Sequence, residues 1–130
     1  MKLIEILKPD FFFEDERGSL CQITHEKFAQ TNAVFSKKNS VRGNFHYHKT
    51  AEEIFYIISG EVTVDLFLDG ESQQYNFASG DMFRINKNVR HRFSYSEDTY
   101  LVVFYSSEIE LDDGTKDIIS DESCPFKAAD

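Results

Sequence analysis

The sequence predicts an all-β protein, a small antiparallel β-barrel or jelly roll, on three observations. Nine short segments rich in aromatic and β-branched residues follow one another between residues 19 and 106. Pairs of turn-forming residues separate several of them, at the tight spacing of hairpins. No long stretch of helical period comes between them. Short strands repeated at this spacing form sandwiches or closed barrels.

In chain order the segments are SLCQITH (19–25), NAVFSKKN (32–39), VRGNFHYH (41–48), EIFYIIS (53–59), EVTVDLFL (61–68), SQQYNFA (72–78), DMFRIN (81–86), RHRFSYS (90–96) and TYLVVFYS (99–106). The fifth shows the logic most clearly: Val62, Val64, Leu66 and Leu68 alternate with Glu61, Thr63, Asp65 and Phe67, the pattern of a strand with one buried face. Turns are predicted at Ser59-Gly60, Asp69-Gly70, Ser79-Gly80 and Glu97-Asp98, with Asp81 shaping the third. Only HEKFAQ (25–30) reads as a helical turn.

Size and charge bound the rest. With 130 residues and 15.1 kDa, the chain fits one domain, expected over 1–130 with a core at about 15–108 and an acidic extension at 109–130. That extension is expected to be loosely packed or to lie on a neighbouring subunit. Thirteen Phe in a chain that is 41% hydrophobic predict a filled interior. A formal charge of −9 excludes a general nucleic-acid binder, which needs a basic face to neutralise phosphates, yet leaves room for a local arginine pair that holds one diphosphate. The amino-terminal MKLIEILKPDFFF is interrupted by Glu5, Lys8, Pro9 and Asp10, too soon for an export signal or membrane span, so a cytoplasmic location is expected. Cys21 and Cys124 have neither the number nor the spacing of a disulfide framework or zinc site; one buried side chain and one tail thiol are expected.

Within VRGNFHYH, His46 and His48 stand at i and i+2, so one strand face carries both imidazoles into the same space. Five residues after His48 comes Glu53, then Gly60, and further on Gly80, Asn86-x-Asn88 and His91. Three of the four histidines fall in this series, and only His25 is spare. Glu52 lies on the opposite face from Glu53 and reads as a solvated charge.

The series resembles the two consecutive motifs of the cupin superfamily, over roughly Val41 to Tyr105. The resemblance implies that His46, His48, Glu53 and His91 point into a barrel and hold one divalent metal, for which Zn, Mn, Fe and Ni all suit a three-histidine, one-carboxylate set. Gly43 stands three residues before the first histidine where cupins have six, and Asn86-x-Asn88 replaces Pro-x-Gly. An Asn can take the left-handed conformation that Gly otherwise supplies.

A narrower resemblance comes from DERGSL (15–20) followed by SVRGNFHYH (40–48). These are similar to the Asp-x-Arg-Gly and Arg-Gly-x-His segments of sugar-nucleotide cupins: the dTDP-4-dehydrorhamnose 3,5-epimerases, the WxcM-like dTDP-sugar 3,4-ketoisomerases and the cupin halves of capsule-synthesis reductases. One extra residue lies between Arg-Gly and the first histidine. The resemblance implies proton transfer next to the ketone of a nucleotide-linked 4-keto-6-deoxy sugar, in the synthesis of cell-surface polysaccharide. Such chemistry needs a base of near-neutral pKa and a donor for the enolate. His46 and His48 are the candidate bases. Tyr95, which shares strand parity with His91 and Phe93, is a candidate proton donor. Arg42, with the parity of His46 and His48, and Arg17 are the candidates for the diphosphate.

The metal and acid–base roles compete, because a histidine that ligates an ion is not a free base. The ketoisomerases and epimerases resembled here work without metal, and the ketoisomerases commonly lack the carboxylate that Glu53 supplies. Three readings follow: a sugar-nucleotide isomerase or epimerase, a metal-dependent cupin oxygenase or small-molecule isomerase, and a non-catalytic cupin that binds a sugar or effector. A homodimer built partly from the amino-terminal strands is expected.

Overall fold

The computed structural model describes residues 3–126, so the two ends of the unit expected over 1–130 lie outside the described residues. Twelve strands occur among them: β1 (Ile4–Leu7), β2 (Phe11–Asp15), β3 (Gly18–Gln22), β4 (Gln30–Ser36), β5 (Val41–Tyr47), β6 (Glu53–Ser59), β7 (Glu61–Leu68), β8 (Glu71–Ala78), β9 (Met82–Ile85), β10 (Arg90–Tyr95), β11 (Thr99–Tyr105) and β12 (Ile119–Ser120). One antiparallel sheet has the order β1-β9-β6-β11-β4, and a second has the order β12-β5-β10-β7-β8. Inward-facing side chains of both pack into one core, the jelly-roll arrangement of an all-β fold. β2 and β3 form a separate hairpin.

The local rules read from the sequence account for the central strands. On β7, Val62, Val64 and Leu66 are buried at 1% exposure or less, as their alternation requires. Asp69 and Gly70 both have positive φ, 51° and 79°, and pair Leu68 directly with Glu71, a two-residue turn whose twist matches the strands it joins. At Gly60, φ is 104°, and a Cβ would lie 2.3 Å from Thr99 Oγ1; only glycine fits between β6 and β7.

Four expectations are corrected. β1 and β2 were absent from the nine segments, since four or five residues beside Pro and charges carry little period; β1 pairs with β9 all the same. Residues 25–30 form no helical turn: the chain runs irregularly to β4 at Gln30, and Phe28 packs on Phe104 with ring centroids 5.2 Å apart. Six residues are too few to nucleate a helix against such a contact. The carboxy-terminal segment is not loose up to Phe126: Ile109, Asp117 and Cys124 are buried, and β12 pairs with β5. Cys124 is therefore the buried thiol, and Cys21 is half-buried.

Phenylalanines fill part of the interior. Phe77 stacks on Phe83 at 4.0 Å, and Phe55 lies 5.1 Å from Phe83 and 4.8 Å from Phe93. Above Phe55 and Phe93 the barrel stays open as a cavity of about 250 Å³. Among the described residues no helix is long and apolar enough to cross a membrane.

Candidate functional site

β5 and β10 deliver most of the polar groups to this cavity. Arg42 stands opposite Phe93 and His46 opposite His91, so Gly43, Asn44 and Phe45 face the single residue Arg92. The two surplus residues form a bulge. Gly43 and Phe45 take positive φ, 76° and 59°, and a Cβ at Gly43 would come within 3.0 Å of the His91 carbonyl oxygen. Phe45 is buried at 2% exposure with its ring 4.9 Å from the Arg92 guanidinium and 6.3 Å from Phe126. Because the surplus is an even number, strand parity survives, and Arg42 and His46 both line the cavity.

Three groups converge at the buried end. Nε2 of His48 lies 3.0 Å from Glu53 Oε1, and Nε2 of His91 lies 3.6 Å from the same oxygen. All three residues are buried, and one ligand atom from each falls within 4.8 Å of the others. Nδ1 of His48 faces the Asp117 carbonyl oxygen at 2.5 Å, and Nδ1 of His91 faces that of Val89 at 3.1 Å. Each carbonyl can only accept, so each Nδ1 carries a proton and each Nε2 turns toward Glu53. The motif-two turn holds its shape through Asn88, whose φ is 72°, the left-handed conformation expected there. Its N–H donates to the His48 carbonyl oxygen at 2.8 Å.

The environments set the two buried histidines apart. Burial opposes charge on His48, but the Glu53 carboxylate 3.0 Å from its Nε2, helped by the Asp117 carbonyl, outweighs it and raises its pKa. Burial dominates at His91 and lowers its pKa despite Glu53. Glu53 Oε1 is a buried oxygen with no donor aligned on it in hydrogen-bond geometry, an arrangement that suits a proton, a water or a cation at that point. The donor set fits either a protonated His48 or a divalent ion held by His48, Glu53 and His91. His46, the fourth expected ligand, lies outside this cluster. It is half-buried on the cavity wall, and among the described residues its ring has no hydrogen-bond partner.

Toward the mouth, Arg42 donates from Nε to Ser36 Oγ at 2.7 Å and from Nη2 to the Phe35 carbonyl oxygen at 3.0 Å. Tyr95 is buried at 3% exposure and lines the cavity. Burial raises its pKa against the opposing hydrogen bond of Ser36 and the charge of Arg42, so the phenol stays protonated at neutral pH.

A cupin domain profile matches residues 36–107, more than half of the chain. The chain belongs to the cupin family. No curated protein matches the sequence. Among solved structures, this cupin is similar to a variant of the QdtA 3,4-ketoisomerase of Thermoanaerobacterium thermosaccharolyticum in complex with TDP-4-keto-6-deoxyglucose (TM-score 0.77, 18% identity, covering 93% of this chain and 89% of that one). It is similar to a 3,4-ketoisomerase of Helicobacter canadensis (0.74, 21% identity, 91% and 90%). A third likeness is to the dTDP-4-dehydrorhamnose 3,5-epimerase of Sulfolobus tokodaii (0.67, 22% identity, 95% and 74%). At these identities the likenesses show a shared fold.

The cupin barrel thus gathers His46, His48, Glu53, His91, Tyr95 and Arg42 around one cavity. Arg17 is elsewhere. It sits at the β2–β3 turn with its side chain 80% exposed, in an ion pair with Asp15 at 2.6 Å, outside the residues that line the cavity. Two further residues of this cupin site were missed in the sequence. Tyr105 lines the cavity, and its parity with Leu101 and Val103 was a usable signal; burial, with the charge of Glu53, raises its pKa. Asp117 carried no local signal at all.

Proposed function

We propose that this cupin is an isomerase or epimerase of a nucleotide-linked 4-keto-6-deoxy sugar, working by proton transfer through an enolate. The observation that carries the reading is the convergence of two histidines, His46 and His48, a tyrosine, Tyr95, and an arginine, Arg42, on one cavity of about 250 Å³. His46 is the base: among the described residues its ring has no hydrogen-bond partner, whereas His48 is engaged at both nitrogens. It takes the proton from the carbon beside the ketone; the C–H electron pair becomes the carbon–carbon double bond, and the carbonyl π pair moves to the oxygen of the resulting enolate. The His48 cation stabilises that charge. Return of a proton from Tyr95 to the same carbon, on the other face, gives the epimer. Where that carbon bears a hydroxyl, transfer of its O–H proton and protonation of the former carbonyl carbon give the isomer. Arg42 binds the diphosphate with the N–H groups that Ser36 and Phe35 leave unused.

Assembly belongs to the same reading. Phe11, Phe13 and Leu20, exposed at 49%, 47% and 52%, share one face of the β2–β3 hairpin by its register. A second copy covers this face in a homodimer, and Arg17 contributes to diphosphate binding only through such a copy. The reaction serves deoxy-sugar polysaccharide synthesis in the cytoplasm.

Incubation of the purified chain with nucleotide-linked 4-keto-6-deoxy sugars in D₂O tests the reading. Deuterium at the carbon next to the ketone supports it. No incorporation with any such sugar leaves a binding cupin in its place.

The buried Glu53 Oε1 favours one second reading, a metal-dependent cupin enzyme in which His48, Glu53 and His91 hold a divalent ion, while His46 stays outside that cluster on the wall of the same cavity. Zn, Mn, Fe or Ni bound there supplies a Lewis acid for an oxygen of the substrate. His46 and Tyr95 keep their places as base and donor.

A further inference from the structure

The three N–H groups that follow β5 converge on one side chain from a distant part of the chain. Asp117 Oδ1 accepts from the Lys49 N–H at 2.8 Å, and Oδ2 accepts from the N–H groups of Thr50 and Ala51, both at 3.1 Å. Successive N–H groups that converge in this way form a concavity for an anion. A carboxylate suits it because both oxygens accept and neither donates. Asp117 is buried at 7% exposure, and its own N–H donates to the Ile109 carbonyl oxygen at 2.8 Å. The residue is therefore held by side chain and main chain together. Its pKa lies below the usual value because the three N–H bonds outweigh the cost of burial.

The carbonyl oxygen of this same residue faces His48 Nδ1. We propose that Asp117 is a positioning residue for His48: its carboxylate docks the carboxy-terminal segment on the loop after β5, and its carbonyl then fixes the imidazole with Nδ1–H bonded and Nε2 turned into the cavity. The loop that the carboxylate grips begins at Lys49, directly after His48, so ring and backbone are clamped from both sides of the peptide. The neighbouring Ile118 lines the cavity, and Ile119 and Ser120 pair with Tyr47 and His46. Loosening Asp117 thus frees a cavity wall as well as the ring. Supporting groups of this kind change activity by roughly 10- to 100-fold when removed.

The importance of His48 rests on the reaction proposed above, whereas its orientation does not, and the test separates the two. Metal-free full-length protein labelled with ¹⁵N in its histidine rings is compared as wild type, Asp117→Asn and Asp117→Ala. Wild type is expected to show a His48 Nδ1–H protected from solvent exchange. Asp117→Asn, which keeps the shape and one acceptor oxygen, should speed that exchange at least about tenfold; Asp117→Ala should abolish the signal. In deuterium-uptake assays the variants should lose turnover roughly 10- to 100-fold with KM changed less than about twofold. An Nδ1–H equally protected in wild type and Asp117→Asn overturns the inference, even if Asp117→Ala fails to fold. Absence of turnover with every sugar sinks the proposed reaction and leaves the NMR result to decide the role of Asp117.

Discussion

Glu53 Oε1 stands 3.0 Å from His48 Nε2 with both side chains nearly inaccessible, at 4% and 10% exposure. A buried carboxylate and imidazole at that distance exist as a compensated pair or around a shared cation. Glu53→Gln removes the charge and keeps the shape. It should lower stability by about 1–3 kcal/mol in chemical denaturation and weaken divalent-metal binding at least tenfold in calorimetric titration. Unchanged metal affinity would remove Glu53 from the ligand set.

His46→Asn and His48→Asn should each cut turnover by roughly 10²- to 10⁴-fold with substrate binding nearly intact. The two should differ in solvent exchange: deuterium uptake at the carbon next to the ketone disappears without His46 and persists, slowed, without His48. If instead the double variant exchanges at the wild-type rate, Tyr95 or Tyr105 becomes the leading base.

Arg42→Ala should raise KM about tenfold or more and lower kcat far less, because diphosphate contacts are equal in ground and transition states. Steady-state kinetics read this directly. A fall in kcat alone would assign Arg42 to the chemistry through Tyr95 and Ser36.

Gly60→Ala places a methyl 2.3 Å from Thr99 Oγ1 and 2.5 Å from the Asp98 carbonyl oxygen, at a φ of 104°. Destabilisation of at least about 2 kcal/mol is expected in thermal or urea unfolding.

Asp121 accepts from the hydroxyl and N–H of Ser123 and pairs with Arg90 at 2.6 Å. These contacts, Ser123 first and Arg90 next, bring its pKa from 3.8 to about 2. A carboxylate whose folded pKa is depressed stabilises the fold fully above its unfolded pKa and loses that contribution as pH falls through the folded one. Asp121→Asn should therefore unfold at a lower temperature than wild type at pH 7. The difference should shrink below pH 4 and vanish only below about pH 2.

Light scattering should find a dimer at micromolar concentration, and Phe13→Glu on the hairpin face should give a monomer. A wild-type monomer would exclude the assembly proposed for Arg17.

The strands of the barrel were legible because alternation and turn chemistry are local. Val62, Val64 and Leu66 went inward, Asp69-Gly70 turned, and Asn88 took the left-handed conformation, each for a reason contained within a few residues. β1 was not legible, since four residues become a strand only when β9 offers them a partner. The helical turn at 25–30 failed for the same reason in reverse: a weak local preference lost to the packing of Phe28 on Phe104.

At the site, parity by itself placed His46 with His48 on one strand face and Tyr95 with His91 on another, because a strand sends every second side chain to the same face, and the resemblance to cupins joined the two pairs in one interior. Tertiary structure decided what each can do there. The bulge at Gly43–Phe45 kept Arg42 in register with the histidines. Glu53 and His91 came to His48 and left His46 apart. Asp117, 69 residues from His48 in sequence, set the direction of its ring, and Arg17 went to a hairpin outside the cavity. Periodicity carries orientation, whereas partners are chosen by where the chain crosses itself, and no spacing along one strand encodes that.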